Sequence, residues 1–307
     1  MSAVVGAIVP IFAIIGLGLF LARTGIMEAP FWQSLDRLNY FVCFPALLVT
    51  TIAEGEVRDP SLLPLLAGFV AAILFNAAVL TALRRPLVDR LGVSGPAYSS
   101  LFQGSVRWNG VLALALVIAL AGPEGLTLAA LIVGGSVPLL NLLSVMILTR
   151  YAGREPAEFG EVAWLLARNP LILGCIVGLV FNLTGLPQMA LDALHLAGGA
   201  ALTLGLLSVG AGLRFRALAE ARGLFALSAF LKLLVLPLIA GALSALAGAS
   251  PLEMTVVLVC AAVPAASSSY VLARQLGGDA TLMAGIITAQ GVLAILTLPL
   301  ILAIFIP

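Results

Sequence analysis

The chain has 307 residues, of which 62% are hydrophobic and 9% charged, and its net charge is +1. That composition excludes a soluble globular domain and supplies no basic patch for nucleic acid; the solvent of this chain is a lipid bilayer. Continuous apolar runs, in place of alternating ones, also exclude a membrane β-barrel.

About 20 apolar residues cross the hydrocarbon core as a helix. Ten such stretches follow one another with little between them, near 3 to 22, 35 to 53, 62 to 83, 97 to 120, 126 to 149, 163 to 182, 191 to 213, 224 to 247, 252 to 273 and 280 to 306. The fold class they predict is an all-α polytopic membrane protein. No Lys or Arg precedes Arg23, so the first stretch reads as a mature helix and not as a signal peptide. Pro45 in the second is expected to kink a packing helix, with Asn39 and Thr50 as polar neighbours.

Loop charges set the orientation through the excess of Lys and Arg on the cytoplasmic side. Taken alternately, one set of loops holds Arg23, Arg37, Arg84, Arg85, Arg90, Arg150, Arg154, Arg168, Arg214, Arg216, Arg222 and Arg274, and the other only Arg58, twelve against one. Both termini are then expected outside the cytoplasm, with the 150 to 162 loop inside and the plasma membrane as location. Residues 1–149 and 163–307 carry five stretches each, and an odd number turns the second half upside down. Two inverted five-helix repeats follow. Gly122-Pro123-Glu124-Gly125-Leu126-Thr127-Leu128 resembles Gly277-Gly278-Asp279-Ala280-Thr281-Leu282, and that alignment lays Asn109-Gly110 over Pro264-Ala265.

Those aligned positions are breaks. Arg107-Trp108-Asn109-Gly110 interrupts the fourth stretch and Pro264-Ala265-Ala266-Ser267-Ser268-Ser269 the ninth. At 1.5 Å per residue, Asn109 and Pro264 each lie about 18 Å into their stretches, near the midplane. Proline lacks an amide proton and clashes with the preceding turn. Glycine admits unusual backbone angles, and an asparagine side chain bonds freed backbone groups. Non-helical backbone at that depth survives only where it is buried or lines a cavity, and in secondary transporters such half-helices form the substrate site. Their amino-terminal ends carry positive partial charge and free N–H donors, so an anion is the expected guest.

Arg107 and Lys232 are the ionisable groups placed in the hydrocarbon core, deeper than a side chain snorkels. Each has two readings: balancing a substrate charge, or capping carbonyls left open by a break. Gln290, Ser267, Ser268 and Ser269 are further candidates for ligand or ion contact. Asn76, Asn141 and Thr288 are expected in interhelical hydrogen bonds. His195 reads as interfacial, and Cys43, Cys175 and Cys260 as small buried hydrophobes with no metal or disulfide spacing. With one histidine and no midplane acid, the sequence offers no catalytic constellation, so no enzyme is expected. No cofactor is expected either, and proton and sodium coupling both stay open. A channel and a non-transporting sensor are the competing classes; labelled exchange separates carrier from channel, and binding without flux marks a sensor.

The residues resemble the auxin efflux carrier family of the bile-acid/arsenite/riboflavin transporter superfamily. The resemblance covers nearly the whole chain and is carried by Leu38-Asn39-Tyr40-Phe41-Val42-Cys43-Phe44-Pro45-Ala46-Leu47-Leu48, by Arg107-Trp108-Asn109-Gly110, and by Ala262-Val263-Pro264-Ala265-Ala266-Ser267-Ser268-Ser269-Tyr270-Val271-Leu272-Ala273 followed by Gly277-Gly278-Asp279 and Thr297-Leu298-Pro299. It implies ten helices in two inverted repeats and a homodimer. It further implies a scaffold of spans 1, 2, 6 and 7, and an elevator-like transport domain of spans 3 to 5 and 8 to 10. Substrate, a small organic acid, would bind at the crossing of spans four and nine, beside Asn109, Gly110, Arg107, Pro264, Ala265, Ser267 and Ser268, with Lys232 and Gln290 near. Many relatives have a proline in the fourth-span crossover; residues 107 to 120 contain none.

Overall fold

A computed structural model describes residues 2–57, 62–152, 160, 164, 167–220 and 223–305. Arg58, Arg154, Arg222 and most of the 150 to 162 loop lie outside the described residues. The described chain is helical throughout. It comprises α1 (Ser2–Arg23), α2 (Ala29–Leu38), α3 (Phe44–Glu54), α4 (Leu62–Arg85), α5 (Gly95–Val106), α6 (Gly110–Tyr151), α7 (Pro170–Thr184), α8 (Gln188–Gly199), α9 (Ala201–Ala211), α10 (Phe215–Glu220), α11 (Leu224–Phe230), α12 (Leu236–Leu246), α13 (Pro251–Ala262), α14 (Ser268–Leu276) and α15 (Ala280–Phe305). Among the described residues, seven helical stretches are long and apolar enough to cross a membrane, and α7 and α13 are shorter apolar helices.

Several predicted stretches are pairs of helices. The second runs from α2 through a π turn, Asn39–Cys43, into α3; the eighth runs from α11 through a π turn, Leu231–Val235, into α12. In both, a proline follows two residues later, Pro45 and Pro237. A proline ring clashes with the carbonyl four residues back, and widening the turn by one residue makes room for it. The seventh stretch is divided at Ala200 into α8 and α9. The fourth and fifth are joined in α6, which bends sharply at Gly122 where φ is +66°. Only glycine takes that conformation cheaply, and Pro123 starts the next arm.

Helices α1 and α9 pack together, as do α3 with α7 and α8, while α13 packs between α6 and α12 and against α15. Asn182 donates to the carbonyls of Ile52, Ala53 and Gly55, closing the carboxyl end of α3. Beside it, His195 Nε2 lies 2.9 Å from Glu54 Oε2 at a half-exposed end of the bundle, in keeping with an interfacial histidine. The three cysteines are free and buried.

Candidate functional site

The first break begins where α5 ends. Ser94 caps the start of α5 by accepting from the Ala97 N–H, and Pro96 stands in its first turn. The helix runs to Val106. Arg107 (φ −77°, ψ 152°) and Asn109 (φ −86°, ψ 99°) are then extended, and α6 starts at Gly110. The second break follows α13, whose amino end is closed by a reciprocal Ser250–Glu253 capping box. Val263 is extended, Pro264 follows, and α14 starts at Ser268. The two breaks touch: the Asn109 N–H donates to the Pro264 carbonyl at 2.9 Å.

No proline is needed at the first break because tertiary partners hold it. Trp108 is buried edge-to-face against Phe69, with ring centroids 5.7 Å apart. Asn109 turns its side-chain oxygen onto the Leu112 N–H at 3.1 Å, the geometry of a helix N-cap. That leaves the Asn109 amide NH2 without a partner among the described residues, and the first N–H groups of α6 have no intrahelical acceptor.

A broken helix also opens carbonyls at the carboxyl end of its first half. Gly104 O accepts from Gln290 Nε2 at 2.9 Å, and Ser105 O accepts from Asn76 Nδ2 at 3.1 Å. Gln290 reaches across both breaks: its oxygen accepts from the Ala265 N–H at 2.8 Å, and its nitrogen also meets Ser228 Oγ at 3.0 Å. At the other break, Ala261 O accepts from Lys232 Nζ at 2.6 Å. Lys232 is fully buried behind the break, where its recorded partner is main chain.

Arg107 is 9% exposed and stands differently. Its guanidinium donates to Asn141 Oδ1 at 2.9 Å, Ser144 Oγ at 3.2 Å and Ser268 Oγ at 3.0 Å. All three acceptors are neutral. Its Nε, the Trp108 Nε1 and the Ser269 hydroxyl are buried without partners among the described residues. A buried cation surrounded by neutral groups, next to unused donors, is an arrangement that an anionic ligand completes.

Of the residues expected at the site, Arg107, Asn109, Pro264 and Ser268 are joined by direct hydrogen bonds, and Ala265 is joined to Gln290. Gly110 faces the second stretch: a Cβ there would stand 3.6 Å from the Phe44 ring, beside the π turn. Ser267 is the residue before α14, and its carbonyl accepts the Tyr270 N–H. Asn141 and Asn76 act here through hydrogen bonds that the sequence assigned only to interhelical packing, and Ser144 and Ser228 are partners that the sequence did not single out. Among the described residues, no cluster of His, Cys, Asp or Glu could hold a metal ion.

The sequence profile of the membrane transport protein family matches residues 3–302. The chain belongs to that family, the auxin efflux carriers. This carrier-family member is also 26% identical over 297 residues to an uncharacterized transporter of Methanothermobacter thermautotrophicus, covering 95% of each chain. It is therefore a multi-pass membrane transport protein, and its buried cation and crossed helix breaks belong to that setting.

Proposed function

We propose that this carrier is a secondary transporter of a small organic anion, a carboxylate, bound where the two helix breaks cross. The observation that carries the reading is Arg107, a buried guanidinium held only by neutral groups at the foot of two helix amino-termini. A carboxylate there would receive Arg107 and Asn109 donors and the positive ends of α6 and α14. Uncompensated, the cation would cost several kcal/mol in the bilayer.

Ten spans in two inverted repeats fit the same geometry. Pro96 and Pro251, Asn109 and Pro264, and Gly122 and Gly277 are each 155 positions apart. The members of the first pair stand in the first turns of α5 and α13, and both glycines have positive φ, +66° and +81°. Residues on a two-fold axis meet their own counterparts. Asn109 meets Pro264, and Asn76 donates to the Leu231 carbonyl at 3.0 Å, again with a separation of 155. Two meetings at the repeat interval support an axis passing beside the breaks. On this reading spans 3 to 5 and 8 to 10 slide as an elevator against spans 1, 2, 6 and 7 of a homodimer. The termini then face the non-cytoplasmic side of the plasma membrane, as the charge of twelve against one favours.

The test is charge movement by purified protein in liposomes on a solid-supported membrane, challenged with monocarboxylates, dicarboxylates and indole acids, with labelled exchange for an electroneutral cycle. A saturable response to one class is expected from the wild type. Asn109→Ala is expected to abolish it while costing only about 1 kcal/mol of stability, the loss of a helix cap. Pro264→Ala restores an N–H and lets α13 continue, so it is expected to reduce the response severely. Wild-type responses from both variants would remove the crossing as the substrate site.

A further inference from the structure

Lys232 lies in the π turn Leu231–Val235, where the extra residue turns its side chain into the protein interior; Leu231 O, displaced by the same turn, accepts from both the Leu236 N–H and Asn76 Nδ2. Its ammonium reaches Ala261 O at 2.6 Å, one turn ahead of Pro264. That carbonyl is one of the last four of α13, which lack intrahelical donors and form the negative end of the helix dipole. The equivalent ends at the other break, Gly104 O and Ser105 O, are capped by the neutral amides of Gln290 and Asn76. Capping a broken helix in this protein therefore needs no charge. At α13 the cap is a lysine amine instead, fully buried and with no carboxylate among its hydrogen-bond partners in the described residues.

Main-chain carbonyls at the carboxyl end of a half-helix are the ligands that broken-helix carriers offer to an alkali cation. We infer that the Lys232 ammonium is a resident cation, tethered by its own side chain at the α13 carbonyl end in the position an exchangeable sodium ion would take. Charge at the second break is then balanced without any bound alkali ion. If the transport reading holds, the cycle needs no sodium as co-substrate, but the occupancy of this position is independent of what is transported.

Thermal unfolding of the purified full chain in sodium chloride and in choline chloride at equal ionic strength tests this without any substrate. The wild type is expected to unfold at the same temperature in both salts. Lys232→Ala and Lys232→Ser, which open the carbonyl position, are expected to unfold earlier in choline and to recover by about 3 °C at a sodium concentration about tenfold above its Kd. Lys232→Arg keeps a cation in place and is expected to show no sodium response. Stabilisation of the wild type by sodium would overturn the inference, as would small-residue variants that fold and ignore sodium. If neither small variant folds, the wild-type comparison decides alone: no sodium effect supports the resident cation and a sodium effect refutes it. A carrier that passes this test yet moves no organic anion refutes the transport reading and leaves the resident cation standing.

Discussion

Arg107→Gln is expected to lower anion transport by about 100-fold or more while leaving the folded protein as stable as the wild type or more so. The loss follows from removing the guanidinium charge beside Asn109: a charge-assisted contact in a desolvated site is worth roughly 3 kcal/mol, and each 1.4 kcal/mol is a factor of ten. The unchanged stability follows from the partners. Asn141, Ser144 and Ser268 are neutral, so the substitution leaves no carboxylate stranded, and the glutamine amide can still donate to one of them. A structural capping role makes the opposite forecast, a lower unfolding temperature with normal transport per folded molecule. Initial transport rates in liposomes, normalised to folded protein, together with thermal unfolding in detergent, separate the two. Near-normal transport by Arg107→Gln would sink the anion assignment.

How much of this was legible in the sequence varies with how local the cause is. The break at Pro264 is written in one residue, because a missing N–H interrupts a helix in any surroundings. The break at Asn109 is only suggested by Asn-Gly; what holds it open is Trp108 against Phe69 and the Asn109 N–H on Pro264, contacts between residues 39 and 155 positions apart. Lys232 shows the same limit. Its depth was readable from hydropathy, but its direction depends on the π turn, and the signal that could have located that turn, Pro237, was read as part of an unbroken stretch. The pairing of Arg107 with Asn141 and Ser144 had no signal, since residues 34 and 37 positions apart on separate helices meet only once the helices pack, and Ser268 was placed beside it by the family resemblance alone. The described parts of the apolar stretches are helical, as expected. Their division at 39–43, 200 and 231–235 is where tertiary packing overrides hydropathy.

Substitution of Gly210 is expected to have the largest effect on folding. Where α1 crosses α9, a Cβ added at Gly210 would stand 1.9 Å from the Ile15 carbonyl oxygen, and one added at Gly18 would stand 2.0 Å from the Leu207 carbonyl oxygen. Both obstacles are backbone, so no side-chain rotation relieves them and the helices themselves must separate. Without water to drive association, helices in a bilayer hold together by this close contact, for which small residues are required. Gly210→Val is therefore expected to eliminate monodisperse folded protein on size-exclusion chromatography, and Gly210→Ala to lower the unfolding temperature by several degrees, from an overpacking cost of roughly 3 kcal/mol. Gly16→Ala on α1, with no atom within 4 Å of the new methyl group, is the control and is expected to behave as wild type. Gly205 on α9 makes the mechanistic contrast, because there an added Cβ meets the side chains of Val111 at 2.5 Å and Asn39 at 2.9 Å, which can move. On the proposed elevator reading, helices with backbones in such contact would travel together, α1 with α9, whereas the Gly205 contact with Val111, the second residue of α6 past the break, would be a boundary between the moving parts. Gly205→Ala is expected to fold and to slow transport. A Gly210→Ala protein that unfolds at the wild-type temperature would show that the α1–α9 crossing is not the rigid joint described, and would remove the basis for placing spans 1 and 7 in one scaffold.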